Sequence, residues 1–221
     1  MIKLICGAMF SGKSEYLTRE TVRYTYAKKK ILFIRPNIDN RGYITHSQND
    51  LKIISAIANK QIDYICMSEF TESITSDILK NDYDLIAVDE YFMIKNNRLF
   101  LETVLKTKKD TDIYLAGLIA DSDAKLFDEA VQVLPLCDEI EKLNGVCIKC
   151  GSMIGNYSYY KGTKINQIEV GDSKYDCICG KCYYDKNEND SLEINEEFVD
   201  KTVSEYSEFL KSGILDIISN N

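Results

Sequence analysis

Eight residues near the N-terminus, Gly7-Ala8-Met9-Phe10-Ser11-Gly12-Lys13-Ser14, fit the pattern G-x-x-x-x-G-K-[ST]. That spacing suits a polyphosphate. Glycines permit the tight turn that aims successive backbone N–H groups into one concavity. Lys13 then offers an ammonium to the β- and γ-phosphates, and Ser14 a hydroxyl ligand for Mg²⁺. Further on, Asp84-Leu85-Ile86-Ala87-Val88-Asp89-Glu90 is an apolar run closed by two carboxylates. A phosphate-loop protein needs such a run as its second element. Asp89 can reach Mg²⁺ directly or through water, and Glu90 can face an attacking hydroxyl. The blander alternatives are a glycine-rich turn with a surface lysine and two solvated carboxylates at a strand end.

The cysteines make a second constellation. Cys147-x-x-Cys150 and Cys179-x-x-Cys182 are two thiolate knuckles, and four thiolates form a closed tetrahedral Zn²⁺ set of the structural kind. The 28 residues between the pairs exceed the ribbon spacing of about 15–20. The metal is therefore expected to staple the base of a long loop, Gly151 to Ile178. Cys177 competes through Cys177-x-Cys179; the recurrent C-x-x-C spacing favours Cys179 and leaves Cys177 as a spare. Four reduced buried cysteines are the alternative. Cys6, Cys66 and Cys137 lie in or beside apolar runs and are expected to be buried as small hydrophobes. The loop itself holds Tyr157, Tyr159, Tyr160 and Tyr175 with Gly155, Gly162 and Gly171. Aromatic faces and backbone N–H groups are what a flat heterocycle binds to.

These residues need a frame to hold them. Met1 to Cys6 reads as a buried strand entering the phosphate loop, and Glu15 to Lys30 as a helix with Leu17, Thr21 and Tyr24 at helical spacing. Ile31 to Ile34 is a second strand stopped by Arg35-Pro36. A polar loop follows to about Leu51 and contains His46, read as a solvated side chain with no catalytic role. Ile62 to Cys66 predicts a third strand, and Ser68 a cap for a helix to about Lys80. Helices are expected over 96–107 and 122–133, a strand over 113–115, and a short helix or strand over 137–143. Strands alternating with helices across 1–142 predict an α/β fold, P-loop NTPase-like, with a mostly parallel sheet and helices on both faces. The expected division is a phosphate-loop domain (1–142), a zinc-stapled lasso domain (143–186) and an acidic tail (187–221), with one amphipathic helix over 195–219.

Charge narrows the partners. The net charge of −8 is concentrated in the tail: from Asn187 onward nine acidic side chains stand against two basic, leaving 26 acids and 25 bases elsewhere. A near-neutral body is a poor footprint for duplex nucleic acid, which needs several Lys/Arg on phosphates, so no nucleic-acid partner is expected. No apolar run approaches the roughly 18 residues of a membrane span, and no secretory signal stands at the N-terminus. A cytoplasmic protein without a membrane partner is the expectation.

Together these motifs resemble the thymidine kinases of the zinc-containing, tetrameric type found in bacteria, animals and poxviruses, over about Met1 to Tyr184. GAMFSGKS is similar to that family's GPMFSGK[ST], with Ala8 for the usual proline. Arg35-Pro36 with Asp39-x-Arg41 matches the segment that folds near the phosphates. Asp89-Glu90 matches a pair whose Asp serves Mg²⁺ and whose Glu is the catalytic base. LPLCDEIEKLNGVCIKCG resembles the approach to the first zinc knuckle. Val170-Gly171 to Tyr175, then Cys179 and Cys182, resembles the loop closing over the base and the second knuckle.

The resemblance implies transfer of the γ-phosphoryl group of ATP–Mg²⁺ to the 5′-hydroxyl of thymidine or a related pyrimidine deoxynucleoside, with structural Zn²⁺ and a homotetramer. It places Gly7 to Ser14, Asp39, Arg41 and Asp89 around ATP and makes Glu90 the base. Met93, Ser122, Phe127, Gln167, Ile168, Glu169, Val170, Gly171 and Tyr175 would surround the nucleoside. The departures gather there. Tyr91, Phe92 and Met93 stand where the family reads A-Q-F. Gly117 to Ser122 stands for G-L-D-x-D-F, which puts Ser122 where an aromatic normally meets the thymine ring. Gly180 replaces an arginine between the last two cysteines. Two other readings stay open: a relative that binds nucleotide and regulates, or acts on another nucleoside, and a P-loop ATPase whose zinc ribbon binds nucleic acid.

Overall fold

Period-two alternation of apolar side chains, running along four short strands, sorts the core into two halves. In chain order the elements are β1 (Ile2–Gly7), α1 (Lys13–Tyr26), β2 (Ile31–Pro36), α2 (Asn49–Ala58), β3 (Ile62–Met67), α3 (Glu72–Leu79), β4 (Leu85–Asp89), α4 (Asn97–Thr107), β5 (Asp112–Gly117), α5 (Asp128–Val133), β6 (Glu139–Leu143), β7 (Tyr157–Tyr160), β8 (Tyr175–Ile178) and α6 (Gly180–Tyr184). The structure is a computed structural model that describes residues 1–38, 49–108, 110–162, 166–167 and 171–185, all within one compact unit, Met1–Asp185. Asp39, Arg41, His46, Ile168, Glu169, Val170 and the stretch expected as a C-terminal helix lie outside the described residues.

Six strands form one sheet in the order β3-β2-β4-β5-β1-β6, and every pairing in it is parallel. Ile2, Leu4, Leu32, Ile34, Ile86, Val88, Ile113 and Leu115 point to one face, into a core completed by Ile78 of α3, Phe100 and Val104 of α4, and Val133 of α5. Ile5, Ile31, Phe33, Leu85, Ala87, Tyr114 and Ala116 point to the other, against Leu17 and Val22 of α1 and Ile53 and Ala56 of α2. Each fully buried aliphatic or aromatic side chain contributes about 1.5–3 kcal/mol, so this alternation specifies the register. Sliding a strand by one residue would exchange its two faces. The fold is therefore α/β with a parallel sheet covered by helices on both faces. Parallel pairing also collects the C-terminal ends of β1, β2, β4 and β5 along one edge. Ala116 pairs with Asp89 on one side and Ile5 on the other.

Several local expectations change. The polar loop after β2 gives way at Asn49 to α2, whose Ile53 and Ala56 are buried. The helix expected over 122–133 shortens to α5, because the preceding chain folds back: Ala120 bridges Leu126, and Asp121 Oδ1 accepts the N–H groups of Asp123 and Lys125 at 2.9 and 3.0 Å. Thr71, not Ser68, caps α3 by accepting from the Ile74 N–H at 3.2 Å. Cys6 is buried, but Cys137 is only half-buried and Cys66 is exposed, because β3 is an edge strand with an open flank. Within the long loop between the knuckles, β7 and β8 pair antiparallel, Tyr157 with Ile178 and Tyr160 with Tyr175.

Candidate active site

The phosphate loop runs from the end of β1 into the first turn of α1. Gly7 is required by close approach: a Cβ there would lie 2.4 Å from the Leu143 carbonyl oxygen and 2.5 Å from Ser11 Oγ. Lys13 is 7% exposed, and its Nζ reaches back to donate to the Ala8 carbonyl at 2.8 Å. Burial pulls the Lys13 ammonium below its ordinary pKa, against the opposing pull of Glu90 and Asp89. A buried cation so placed is a receptor for an anion, since added negative charge restores its preference for the proton.

Asp89 continues the parity of Leu85 and Ala87 and so points to the α1 face of the sheet. There Ser14 Oγ donates to its Oδ1 at 2.9 Å. Arg35 follows Ile31 and Phe33 on the same face, with its Nε 3.8 Å from Asp89 Oδ2. Two hard oxygen donors side by side at a phosphate loop are the ligand types that Mg²⁺ takes together with phosphate and water. Glu90 is 8% exposed and left-handed, at φ 49° and ψ 43°, which turns the chain sharply out of the sheet. The next three residues, Tyr91–Met93, form one 3₁₀ turn. It lies against Gly117, where a Cβ would come within 2.9 Å of the Tyr91 ring and 3.0 Å of Phe92. Asn97, fully buried, fastens the turn by donating Nδ2 hydrogens to the carbonyls of Tyr91 and Ile94 at 3.0 and 2.5 Å.

The four expected zinc ligands come together. The Sγ atoms of Cys147, Cys150, Cys179 and Cys182 all lie within 4.8 Å of one another, with Cys150 and Cys179 at 3.6 Å. A tetrahedral Zn²⁺ with bonds of about 2.3 Å spaces its sulfurs about 3.8 Å apart, so the set fits that ion. Burial opposes ionisation of Cys147, but N–H groups of Cys179, Cys150 and Lys149 outweigh it and hold the thiol near 6. Cys177 is elsewhere. It is buried with its Sγ between Gly145 and Gly155, where an added Cβ would approach to 2.7 and 2.6 Å, and burial pushes its thiol up.

The described residues expected around a nucleoside differ in burial. Met93 is half-buried against the core beneath α4 and α5. Phe127 is 4% exposed, with its ring stacked on Phe92 at 4.6 Å. Tyr175 is 8% exposed and edge-on to Tyr160 at 5.1 Å. Gln167 is exposed and Gly171 half-buried. Ser122 gives its carbonyl to the Tyr183 hydroxyl at 2.9 Å. Tyr183 in turn stacks on Tyr157 at 4.3 Å, whose ring rests over Gly180, where an added Cβ would come within 3.3 Å of it. The arginine-to-glycine departure thus makes room for an aromatic pair.

A cavity of about 200 Å³ opens between the phosphate loop, the loop after β5 and the start of β7; Gly7, Ala8, Asp121, Lys142, Asn156 and Ser158 are among its walls. Sequence reasoning passed over Ser158, Asn97 and Tyr183. Ser158 and Tyr183 act through contacts distant in sequence, Asn97 through carbonyls three and six residues before it, and no spacing announces any of them.

A parallel six-stranded sheet, a phosphate loop facing a carboxylate pair, and four clustered cysteines that could hold a metal ion define a P-loop α/β protein. The thymidine kinase family matches residues 1–183, and the chain belongs to that family. The thymidine kinase of Amsacta moorei entomopoxvirus is 31% identical over 189 residues, spanning 82% of this chain and 97% of its own. That of rabbit fibroma virus (strain Kasza) is 32% identical over 188 residues, 83% of this chain and 96% of its own. The thymidine kinase of Bacteroides thetaiotaomicron is 25% identical over 183 residues, 82% and 86% respectively. Among the described residues no helix is long and apolar enough to cross a membrane.

Proposed function

We propose that this chain is a deoxynucleoside kinase that moves the γ-phosphoryl group of ATP to the 5′-hydroxyl of thymidine, giving dTMP and ADP. One observation carries the reading: the Ser14–Asp89 contact at 2.9 Å with buried Glu90 one residue beyond. The backbone of Gly7 to Gly12 and the Lys13 ammonium bind the triphosphate. Ser14 and Asp89 would hold Mg²⁺, which when bound neutralises phosphate charge. Glu90 orients the acceptor hydroxyl and receives its proton late, because an alcohol is a far weaker acid than a carboxylic acid and gives up its proton only as the bond to phosphorus forms. That order suits a loose phosphoryl-transfer transition state governed by positioning and charge.

The family resemblance adds Asp39 and Arg41 near the phosphates, and Met93, Ser122, Phe127, Gln167 to Gly171 and Tyr175 near the base. It also adds a homotetramer; the cysteine spacing, the strand–helix alternation and the composition support structural Zn²⁺ on the four cysteines, a division at about residues 142 and 186, and a cytoplasmic location. Phosphorylation of a nucleoside panel with γ-labelled ATP tests the reading, and thermal shift with ATP–Mg²⁺ accompanies it. Thymidine is expected to give dTMP. Transfer to another nucleoside alone would overturn the substrate but keep the reaction. ATP binding without transfer to any nucleoside would overturn the enzyme.

A further inference from the structure

Ser158 of β7 and Cys177 of β8 are directly opposed, and Ser158 reaches the phosphate loop. Cys177 packs its sulfur against Gly145 and Gly155, and a Cβ on Gly145 would also come within 3.2 Å of the Phe10 carbonyl oxygen. Ser158 makes the polar half of the contact. It is 5% exposed, and its Oγ accepts the Met9 backbone N–H at 3.0 Å. A phosphate loop works through the orientation of its peptide groups, and here one of those peptides is held by a side chain of the four-cysteine hairpin. The cavity beside this contact is walled by Gly7 and Ala8 on one side and by Asn156 and Ser158 on the other. The hydrogen bond therefore bridges two bodies that are otherwise separated there by open space.

We infer that Ser158 is a positioning residue for phosphoryl transfer: through the Met9 peptide it locks the hairpin and the phosphate loop into one frame. The inference rests on the kinase reading above, in which the loop holds the donor and the hairpin side faces the acceptor. Transfer demands alignment finer than binding does, and a misplacement of about 1 Å can lower rate roughly 100-fold with little effect on affinity. Removing the hydroxyl takes the acceptor from the Met9 N–H at a part-buried contact, and the peptide is then free to turn towards another partner.

The test compares Ser158→Ala, Ser158→Thr and Ser158→Val in the full-length, zinc-loaded protein. Val has the shape of Thr without the hydroxyl. Ala and Val are expected to lower kcat about 10- to 100-fold while KM for nucleoside and ATP stays within about twofold; Thr restores kcat. Amide exchange at Met9 is read in the same four proteins, and is expected to be faster in Ala and Val than in wild type and Thr. Wild-type kcat in Ala and Val overturns the inference. So does Thr failing as Val fails, since shape would then explain the loss. A rise in nucleoside KM at constant kcat would make Ser158 a base contact instead. If wild type phosphorylates no nucleoside, the kinase reading fails first. The exchange rates then decide on the tie alone, and equal rates across the four proteins would remove it.

Discussion

Ser14 Oγ and Asp89 Oδ1 lie 2.9 Å apart, although the strands leading to them, β1 and β4, are separated by the whole of β5. At about 4.8 Å per strand spacing, β1 and β4 stand roughly 10 Å apart, so neither strand end could touch the other. The first turn of α1 spans that gap on the face of the sheet to which the small side chain of Ala116 points. Asp89→Asn keeps the size and removes the charge. It is expected to weaken Mg²⁺-dependent nucleotide binding by at least tenfold and kcat by roughly 100-fold, while the thermal midpoint changes little. Unaltered magnesium dependence, read by titration calorimetry, would separate Asp89 from the metal.

Glu90 combines a chemical role with an unfavourable backbone. A non-glycine residue held in the left-handed region, here at φ 49°, costs on the order of 1–3 kcal/mol. Glu90→Gln should reduce transfer by roughly 10²–10⁴-fold with ATP binding intact. Glu90→Gly should be equally inactive yet melt no lower than wild type, and as much as 2–4 °C higher for each kcal/mol of strain released. Turnover near wild type in the Gln variant would take Glu90 out of the mechanism; a lowered midpoint in the Gly variant would show that the strain argument misjudges the turn.

The hairpin's own core is small. Its buried cluster is Cys147, Ile178 and Cys179, and two of the three belong to the four-cysteine set that could hold a metal ion. Serine at any of positions 147, 150, 179 or 182 is expected to release zinc, measured by elemental analysis, and to expose 144–185 to protease. Cys177→Ser is expected to retain one zinc per chain. Zinc lost from the 177 variant and kept in the 179 variant would reverse the ligand assignment.

Lys3 anchors an acid- and base-sensitive cluster where β1 meets β6. Its Nζ lies 2.8 Å from Glu141, 2.9 Å from Glu139 and 2.8 Å from the Tyr16 hydroxyl. Burial alone would lower the lysine, but its hydrogen bonds to Glu141, Tyr16 and Glu139 outweigh that and raise it above 10.5. The hydrogen bond from Lys3 holds Glu141 below 4.5. A raised lysine stabilises the fold below 10.5 and stops doing so as pH rises through its folded value. A depressed carboxylate stabilises it above 4.5 and stops as pH falls through its folded value. The cluster therefore contributes fully between about 4.5 and 10.5. Glu141→Gln should lower the unfolding midpoint at pH 7 and flatten its decline below pH 4.5; parallel midpoint-versus-pH curves for variant and wild type would count against this cluster.

Legibility from sequence followed the range of the interactions. β1, the phosphate loop and α1 are contiguous, so glycines, lysine and helical spacing announce them. β4 is visible because Leu85 to Val88 are buried on both faces and Asp89 interrupts them. The cysteine pairs carry their own spacing. α2 was hidden because its polar start, Asn49-Asp50, merged with the preceding loop. The break at 120–127 depends on Asp121 accepting backbone N–H groups, a choice that no periodicity records. Met93, Phe127 and Tyr175 could be lined up with a family pattern, but whether their side chains face a ligand or the core depends on neighbours such as Phe92 and Tyr160. Ser158 illustrates the limit. Nothing near it in sequence says that the Met9 peptide, 149 residues away, is its partner.

The two cysteine pairs bracket β7 and β8, and Ser158 of β7 accepts the Met9 N–H. On this plan the length of chain between Tyr160 and Tyr175 can vary without moving the cysteine pairs relative to the two-stranded ladder or changing the partner of the Met9 peptide.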